Sequence, residues 1–264
     1  MSDIEKKLRR LEMERVEKDR LKRIMDKDLV ETVEQVFDRM TLLALYELVN
    51  DRVIEVMHGV VSQGKEARVY WAEDPQGKDL AVKIYYTATA EFKKGMLKYI
   101  EGDPRFRRVR RSTRHLIYLW CSKEFRNLKT AYEAGVKVPK PIRSNKNILV
   151  MEFISSSMER GKPAPLIKDA PPEDPDKALD IILNYIYVLY NKAELVHADL
   201  SEYNIMNRDE ELYIIDWGSA VRIEHPHADE FLLRDIKNVT RFFSKLGVQT
   251  PDPVKVYEWV IEGS

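Results

Sequence analysis

Apolar and polar positions change period several times along the chain, and each change marks an element. From Asp3 to Lys27 charged residues surround Leu8, Leu11, Val16, Leu21 and Ile24. That thin apolar stripe predicts a solvated helix. A broader stripe of Val36, Phe37, Met40, Leu43, Ala44 and Leu48 predicts a second helix over 33–49, packed on a core. The period then shortens. Residues 68–72 and 80–85 read as strands around the turn signal Asp74-Pro75-Gln76-Gly77, and a loop containing Gly64 precedes them. Residues 141–143 and 148–153 form a second strand pair around Asn145-Lys146-Asn147. Between the pairs a helix is predicted over 122–134, stopped by Gly135. A Pro-rich stretch over 162–175 leads into helices over 177–192, 228–246 and 253–261. Strands crowd the first half and helices the second, an α+β pattern with a small antiparallel sheet lobe and a helical lobe. The expected units are a helical extension over 1–50, a sheet lobe over 51–154 and a helical lobe over 155–264.

Composition narrows this only slightly. The 264 residues suffice for one two-lobed domain. Lys plus Arg number 44 and Asp plus Glu number 44, so net charge selects no class of partner. The single Cys121 leaves no internal disulfide and no cysteine metal cluster. The first 28 residues are too charged for a secretory signal, and no apolar run approaches the roughly 20 residues that span a bilayer. A soluble cytoplasmic protein without membrane contact is the expectation.

The candidate chemistry lies at the ends of apolar runs. Lys83 interrupts Leu80-Ala81-Val82-Lys83-Ile84, and lysine is seldom buried without a partner. A strand lysine beside a cleft can grip phosphate oxygens, held by an acid on a helix. Glu124, early in the helix predicted next, suits that partner better than Glu133 near the helix end. Downstream, His197-Ala198-Asp199 reaches Asn204 at the spacing Asp-x4-Asn, and Asp216 follows at Asn-x11-Asp. One aspartate after an apolar run is commonly a turn or a cap. Two aspartates and an amide at these spacings, with a strand lysine upstream, suit phosphoryl transfer. Asp199 would orient an attacking hydroxyl and take its proton. Asn204 and Asp216 would offer hard oxygen ligands to Mg²⁺. His197 reads as a packed residue that hydrogen-bonds the catalytic-loop backbone.

Together Lys83, Glu124, His197-Ala198-Asp199-x4-Asn204 and Asp216-Trp217-Gly218 resemble the protein-kinase signature set. The departures narrow the match. Ser62-Gln63-Gly64-Lys65-Glu66-Ala67 replaces a Gly-rich loop, Ala198 and Trp217 replace the usual Arg and Phe, and no Ala-Pro-Glu follows Gly218. Gly64-Lys65-Glu66-Ala67-Arg68-Val69-Tyr70 and His197-Ala198-Asp199-Leu200-Ser201-Glu202-Tyr203-Asn204 resemble the RIO family of atypical protein kinases, type-1 branch. The resemblance runs from about Leu42 to Val248. It implies a trimmed, two-lobed protein-kinase-like fold and use of ATP with Mg²⁺, or Mn²⁺ in its place. Asp199, Asp216 and Lys83 would be catalytic. Ser62, Lys65 and Glu66 would cover the phosphates, and the backbone of Glu152 and Ile154 would meet adenine. It also implies transient phosphorylation of Asp216, an ATPase-like cycle, and work in small ribosomal subunit maturation.

Lys83 and Glu124 stand farther apart than a kinase needs, and the stretch over about 86–115 reads as a basic insertion. Six arginines fall within 105–114. Such a segment suits phosphate backbones, and the resemblance, through the family's link to small ribosomal subunit maturation, implies pre-ribosomal RNA as the partner. The resemblance also makes Ser112 or Thr113, among those arginines, a candidate autophosphorylation site. Two alternatives stay open. Aminoglycoside- and choline-type small-molecule kinases share His-x-Asp-x4-Asn and Ile-Asp-Trp, although they carry a larger helical region after the metal aspartate. An ATP-gated assembly factor with weak kinase activity would keep the same residues.

Overall fold

The computed structural model describes residues 38–86, 90–106 and 112–263, with backbone alone over 90–94. The helix expected over 3–27, and the start of the one expected over 33–49, lie outside these. Within the described residues the second helix is α1 (Arg39–Asn50), whose N-cap Asp38 accepts a hydrogen bond from the Thr41 N–H at 2.9 Å.

Five strands follow in one antiparallel sheet. They are β1 (Val56–Gln63), β2 (Ala67–Glu73), β3 (Asp79–Tyr85), β4 (Pro141–Asn145) and β5 (Ile148–Glu152), in the order β1-β2-β3-β5-β4. The 56–63 segment, read only as the approach to a loop, is thus a full strand with two register shifts against β2. Period-two alternation gives the sheet two different faces. Leu80, Val82 and Ile84 of β3 pack with Leu45 and Leu48 of α1 in one buried cluster. Burying each of those leucines stabilises the lobe by about 2 kcal/mol. The intervening residues Ala81 and Lys83 face the interlobe cleft.

The stretch expected to be a basic insertion holds ordered structure. It contains α2 (Ala90–Ile100), a 3₁₀ turn at Pro104–Phe106 and the first turn of α3 (Thr113–Glu133). α3 therefore starts nine residues before the expected position at 122. The Ser112 hydroxyl caps it, accepting from the His115 N–H at 3.3 Å. Two arginines of the run are committed internally. Arg105 clasps Asp103 and Asn127, and Arg114 pairs with Asp38 at 2.7 Å. Arginines 107–111 lie outside the described residues.

The second lobe is helical as expected, with α4 (Pro175–Asn191), α5 (Ala228–Lys245) and α6 (Pro253–Glu262). Short strand pairs carry the chemistry-bearing loops. β6 (Leu195–Val196) pairs with β9 (Val221–Arg222), and β7 (Ile205–Arg208) pairs with β8 (Glu211–Ile214). The larger apolar cluster runs from α3 through α4 and α5, so α3 packs into the helical lobe while the sheet lies over it. Among the described residues no helix is long and apolar enough to cross a membrane.

Candidate active site

A cavity of about 520 Å³ opens between the lobes, within the usual range for small-molecule sites. Ser62, Lys65 and Glu66 roof it, Lys83 stands at its back, Glu152 and Ile154 line the connecting segment, and Asn204 and Asp216 form the floor. Residues scattered over more than 150 positions therefore converge. Glu124 and Asp199 do not line it. Glu124 is buried behind Lys83, and Asp199 lies beside Asn204, reaching solvent as a residue while its carboxyl is largely surrounded by protein.

Lys83 is the hub. Its ammonium donates to Glu124 Oε1 at 2.8 Å and to Asp216 Oδ1 at 2.9 Å. The β3 alternation aims it into the cleft, and α3 brings Glu124 behind it. The two carboxylates hold the lysine above its ordinary range despite burial. Lys83 in turn holds Asp216 below the usual carboxylate range. Burial pushes Glu124 up to about 7, with Lys83 opposing. One cation shared by two acids is therefore ionised, with Asp216 the more strongly charged partner.

The catalytic loop is held from below by α5. Asp235, 2% exposed, accepts from the N–H groups of Ala198 at 2.7 Å and Leu200 at 2.9 Å. Arg234 donates to the Ala198 carbonyl, and Asn238 to that of Leu200. Ala198 and Asp216 both have left-handed backbones, φ +64° and +65°. Such conformations are unfavourable for residues with a Cβ and persist where surroundings enforce them. Asn204 bridges the two loops. Its side-chain NH₂ donates to the Asp199 backbone carbonyl at 2.8 Å, and its backbone carbonyl accepts from the Ile215 N–H at 2.9 Å. His197 is packed as the sequence suggested, but its hydrogen bond goes to the loop before Asp216 instead of to the catalytic loop. Its Nε2–H donates to the Ile215 carbonyl at 3.0 Å, its ring packs edge-on against Trp217, and burial pushes its pKa down to about 4. It is neutral at pH 7.

Charge in the cavity suits a divalent cation. Burial and then Asp216 raise the pKa of both Glu66 and Asp199. Three carboxylates thus share one field, with Lys83 the counter-charge for Glu66 and Asp216 and Arg234 and Lys98 those for Asp199. Asp216 keeps its side chain 51% exposed, and the Asn204 NH₂ is turned to Asp199, so oxygen donors of both residues remain for a hard ion. In the connecting segment the Ile154 carbonyl already accepts from the Ala164 N–H at 2.8 Å. Sequence reasoning missed Asp235, Arg234, Lys123 and Asn127. Each meets backbone that is distant in sequence, and only the polar residue inside an apolar helix face hints at it.

Comparison with known proteins agrees with this geometry. A family model described as the RIO domain matches residues 68–256. The RIO-type serine/threonine-protein kinase Rio1 of Haloferax volcanii is 41% identical over 238 residues, covering 90% of this chain and 80% of its own. The Methanocaldococcus jannaschii protein of the same name is 42% identical over 217 residues, covering 82% and 72%. Among solved structures, a Rio2 kinase–ADP/Mg²⁺–phosphoaspartate complex from Chaetomium thermophilum has a TM-score of 0.62 at 22% identity, over 83% of this chain and 66% of that one. At that identity the likeness speaks for the two-lobed kinase-like fold.

Proposed function

We propose, for a chain that belongs to the RIO family of serine/threonine-protein kinases and to its type-1 branch, that the cavity holds ATP and that Asp199 presents the accepting hydroxyl. The carrying observation is the shared lysine, with Nζ within 2.9 Å of both Glu124 and Asp216 at the back of the cavity. Lys83 would grip phosphate oxygens while Glu124 fixes its position. Ser62 and Lys65 would cover the phosphates from above. The Glu152 carbonyl and the Ile154 N–H would meet adenine, the Ile154 carbonyl being engaged by Ala164. Asn204 and Asp216 would hold Mg²⁺ or Mn²⁺, which when bound neutralises phosphate charge.

Asp199 takes the proton of the incoming hydroxyl as its oxygen bonds to the γ-phosphorus and the bond to the ADP oxygen breaks. Asp216 has a second role in this reading. Its free carboxylate oxygen can receive the phosphoryl group as ADP leaves, and water then releases inorganic phosphate. The phosphoaspartate of the Chaetomium thermophilum Rio2 complex supports that route. The setting would be maturation of the small ribosomal subunit, with ribosomal RNA met by arginines 107–111, because Arg105 and Arg114 are already paired within the chain. Ser112 and Thr113, at the start of α3, would be acceptors of the chain's own phosphorylation. A phosphate there would meet a helix N-terminus.

The test is single-turnover transfer from γ-labelled ATP. Asp199→Asn should slow transfer to serine or threonine by about 10²–10⁴ while ATP binding is retained. An unchanged rate would overturn the role of Asp199. Alkali-labile label on Asp216 supports the acyl-phosphate route, and its absence under conditions that release phosphate excludes that route.

A further inference from the structure

Beyond the groups that face the cavity, a buried polar cluster on α3 grips the backbone that follows Asp216. Lys123 is 0% exposed, and its Nζ donates to the carbonyls of Gly218, at 2.8 Å, and Ala220. Asn127, also 0% exposed, donates to the carbonyls of Trp217 at 3.0 Å and Ala220 at 2.8 Å. The indole of Trp120 lies flush against Gly218, where an added Cβ would fall 2.8 Å from the ring nitrogen. Three carbonyls within four residues are therefore fixed by side chains of one helix. The same helix carries Glu124, which fixes Lys83.

The cluster reaches further. Arg105 Nη1 donates to Asn127 Oδ1 at 2.8 Å, which fixes the amide with its NH₂ toward Trp217 and Ala220. Asp103, 2% exposed, aligns Arg105 by accepting from Nε at 2.9 Å and from Nη2 at 2.6 Å. A planar guanidinium in that fork has little freedom to turn. The arrangement also answers a question of strain. Asp216 sits at φ +65°, a conformation that aspartate tolerates better than most residues with a Cβ but that still costs free energy. The residues just after it are locked on their carbonyl side by Lys123 and Asn127.

We propose that Lys123 and Asn127 are positioning residues for Asp216, and that Arg105 extends this clasp by setting the pose of Asn127. The inference rests on the reading of Asp216 as a metal-holding residue. A purely structural cluster would lower stability without touching metal dependence. A positioning cluster changes how well Asp216 is presented.

Lys123→Met and Arg105→Gln test it in the full chain, with Asp216→Asn as reference. The readouts are the Mg²⁺ dependence of single-turnover transfer, binding of a fluorescent ATP analogue without metal, and the unfolding midpoint. Each clasp variant should raise the half-saturating Mg²⁺ concentration or lower the transfer rate by about tenfold or more, the usual effect of removing a partner of a metal-holding residue. Metal-free nucleotide binding should stay within about twofold. Arg105→Gln, at a partly exposed site, keeps the test open should Lys123→Met fail to fold. A folded clasp variant with the parent's transfer rate and Mg²⁺ curve overturns the proposal, provided Asp216→Asn is impaired. If Asp216→Asn itself has the parent's rate and Mg²⁺ curve, the reading of Asp216 fails and the clasp proposal falls with it.

Discussion

Asp199 can accept a proton only while it is ionised, and its surroundings set when that is. Burial, then the charge of Asp216, hold its carboxyl above the usual carboxylate range, while Arg234 and the Asn204 amide pull the other way. Activity should therefore be full at higher pH and fall as pH drops through this raised pKa. The acid limb of kcat/KM is expected above about 4, the ordinary aspartate value. Arg234→Gln removes a favourable positive charge and should move that limb further up. Profiles that coincide for parent and variant would count against Asp199 as the base. At this scale the convergence of Lys83, Asn204 and Asp216 on one cavity was legible from their types and spacings. Lys123 and Asn127 were not. Their partners are carbonyls about 90 positions away, and a carbonyl has no signature in sequence.

Elements hold these residues, and α5 shows how. Asp235 is its one buried acid, and it serves the loop before Asp199 rather than its own helix. Asp235→Ala would leave the N–H groups of Ala198 and Leu200 buried without an acceptor, at about 1–3 kcal/mol each. Denaturant unfolding near pH 6 should show that loss. Burial pushes the folded pKa of Asp235 up to about 8. A folded pKa above the unfolded value means the native state binds the extra proton. This group's contribution is thus complete below about pH 4 and fades as pH rises through about 8. The parent should lose stability over that window relative to Asp235→Ala, and parallel pH curves for the two would refute the assignment. The early start of α3 was readable only in part. Ser112 is a good cap, but the arginines before it give the composition of a solvated loop, and composition masked the cap. The strand at Val56–Gln63 was obscured for a related reason. Its exposed outer half ends in the loop residues that roof the cavity.

The two lobes meet through the connecting segment as well as through α3, and that segment is tied to both. After β5 the chain forms a narrow hairpin, bridged between Ser155 and Pro163. Arg160 at its tip reaches the sheet lobe, donating to the Gly77 carbonyl and to Asp79 Oδ1, each at 3.0 Å, and lying over the Trp71 ring. His58 stacks on the same indole at 3.8 Å. Gly161 is required beside it. Its φ is +81°, and a Cβ there would meet Trp71 at 2.7 Å. Ser157 in the same hairpin donates to Asp209 Oδ1 of the helical lobe at 2.7 Å. The hairpin therefore staples the lobes at the hinge side of the cavity. Arg160→Ala should release the upper attachment. Because the arginine is an exposed ion-pair partner, the unfolding midpoint should barely move. Local opening should respond more strongly, since the tip loses its anchors to the sheet. Hydrogen exchange over 155–163 is expected to quicken while exchange in α4 and α5 stays as it was, and high salt should produce part of the same change in the parent. Equal acceleration in α4 would mean that Arg160 supports the helical lobe as a whole, and unchanged exchange at the hairpin would mean that packing on Trp71 alone holds the lobes together there.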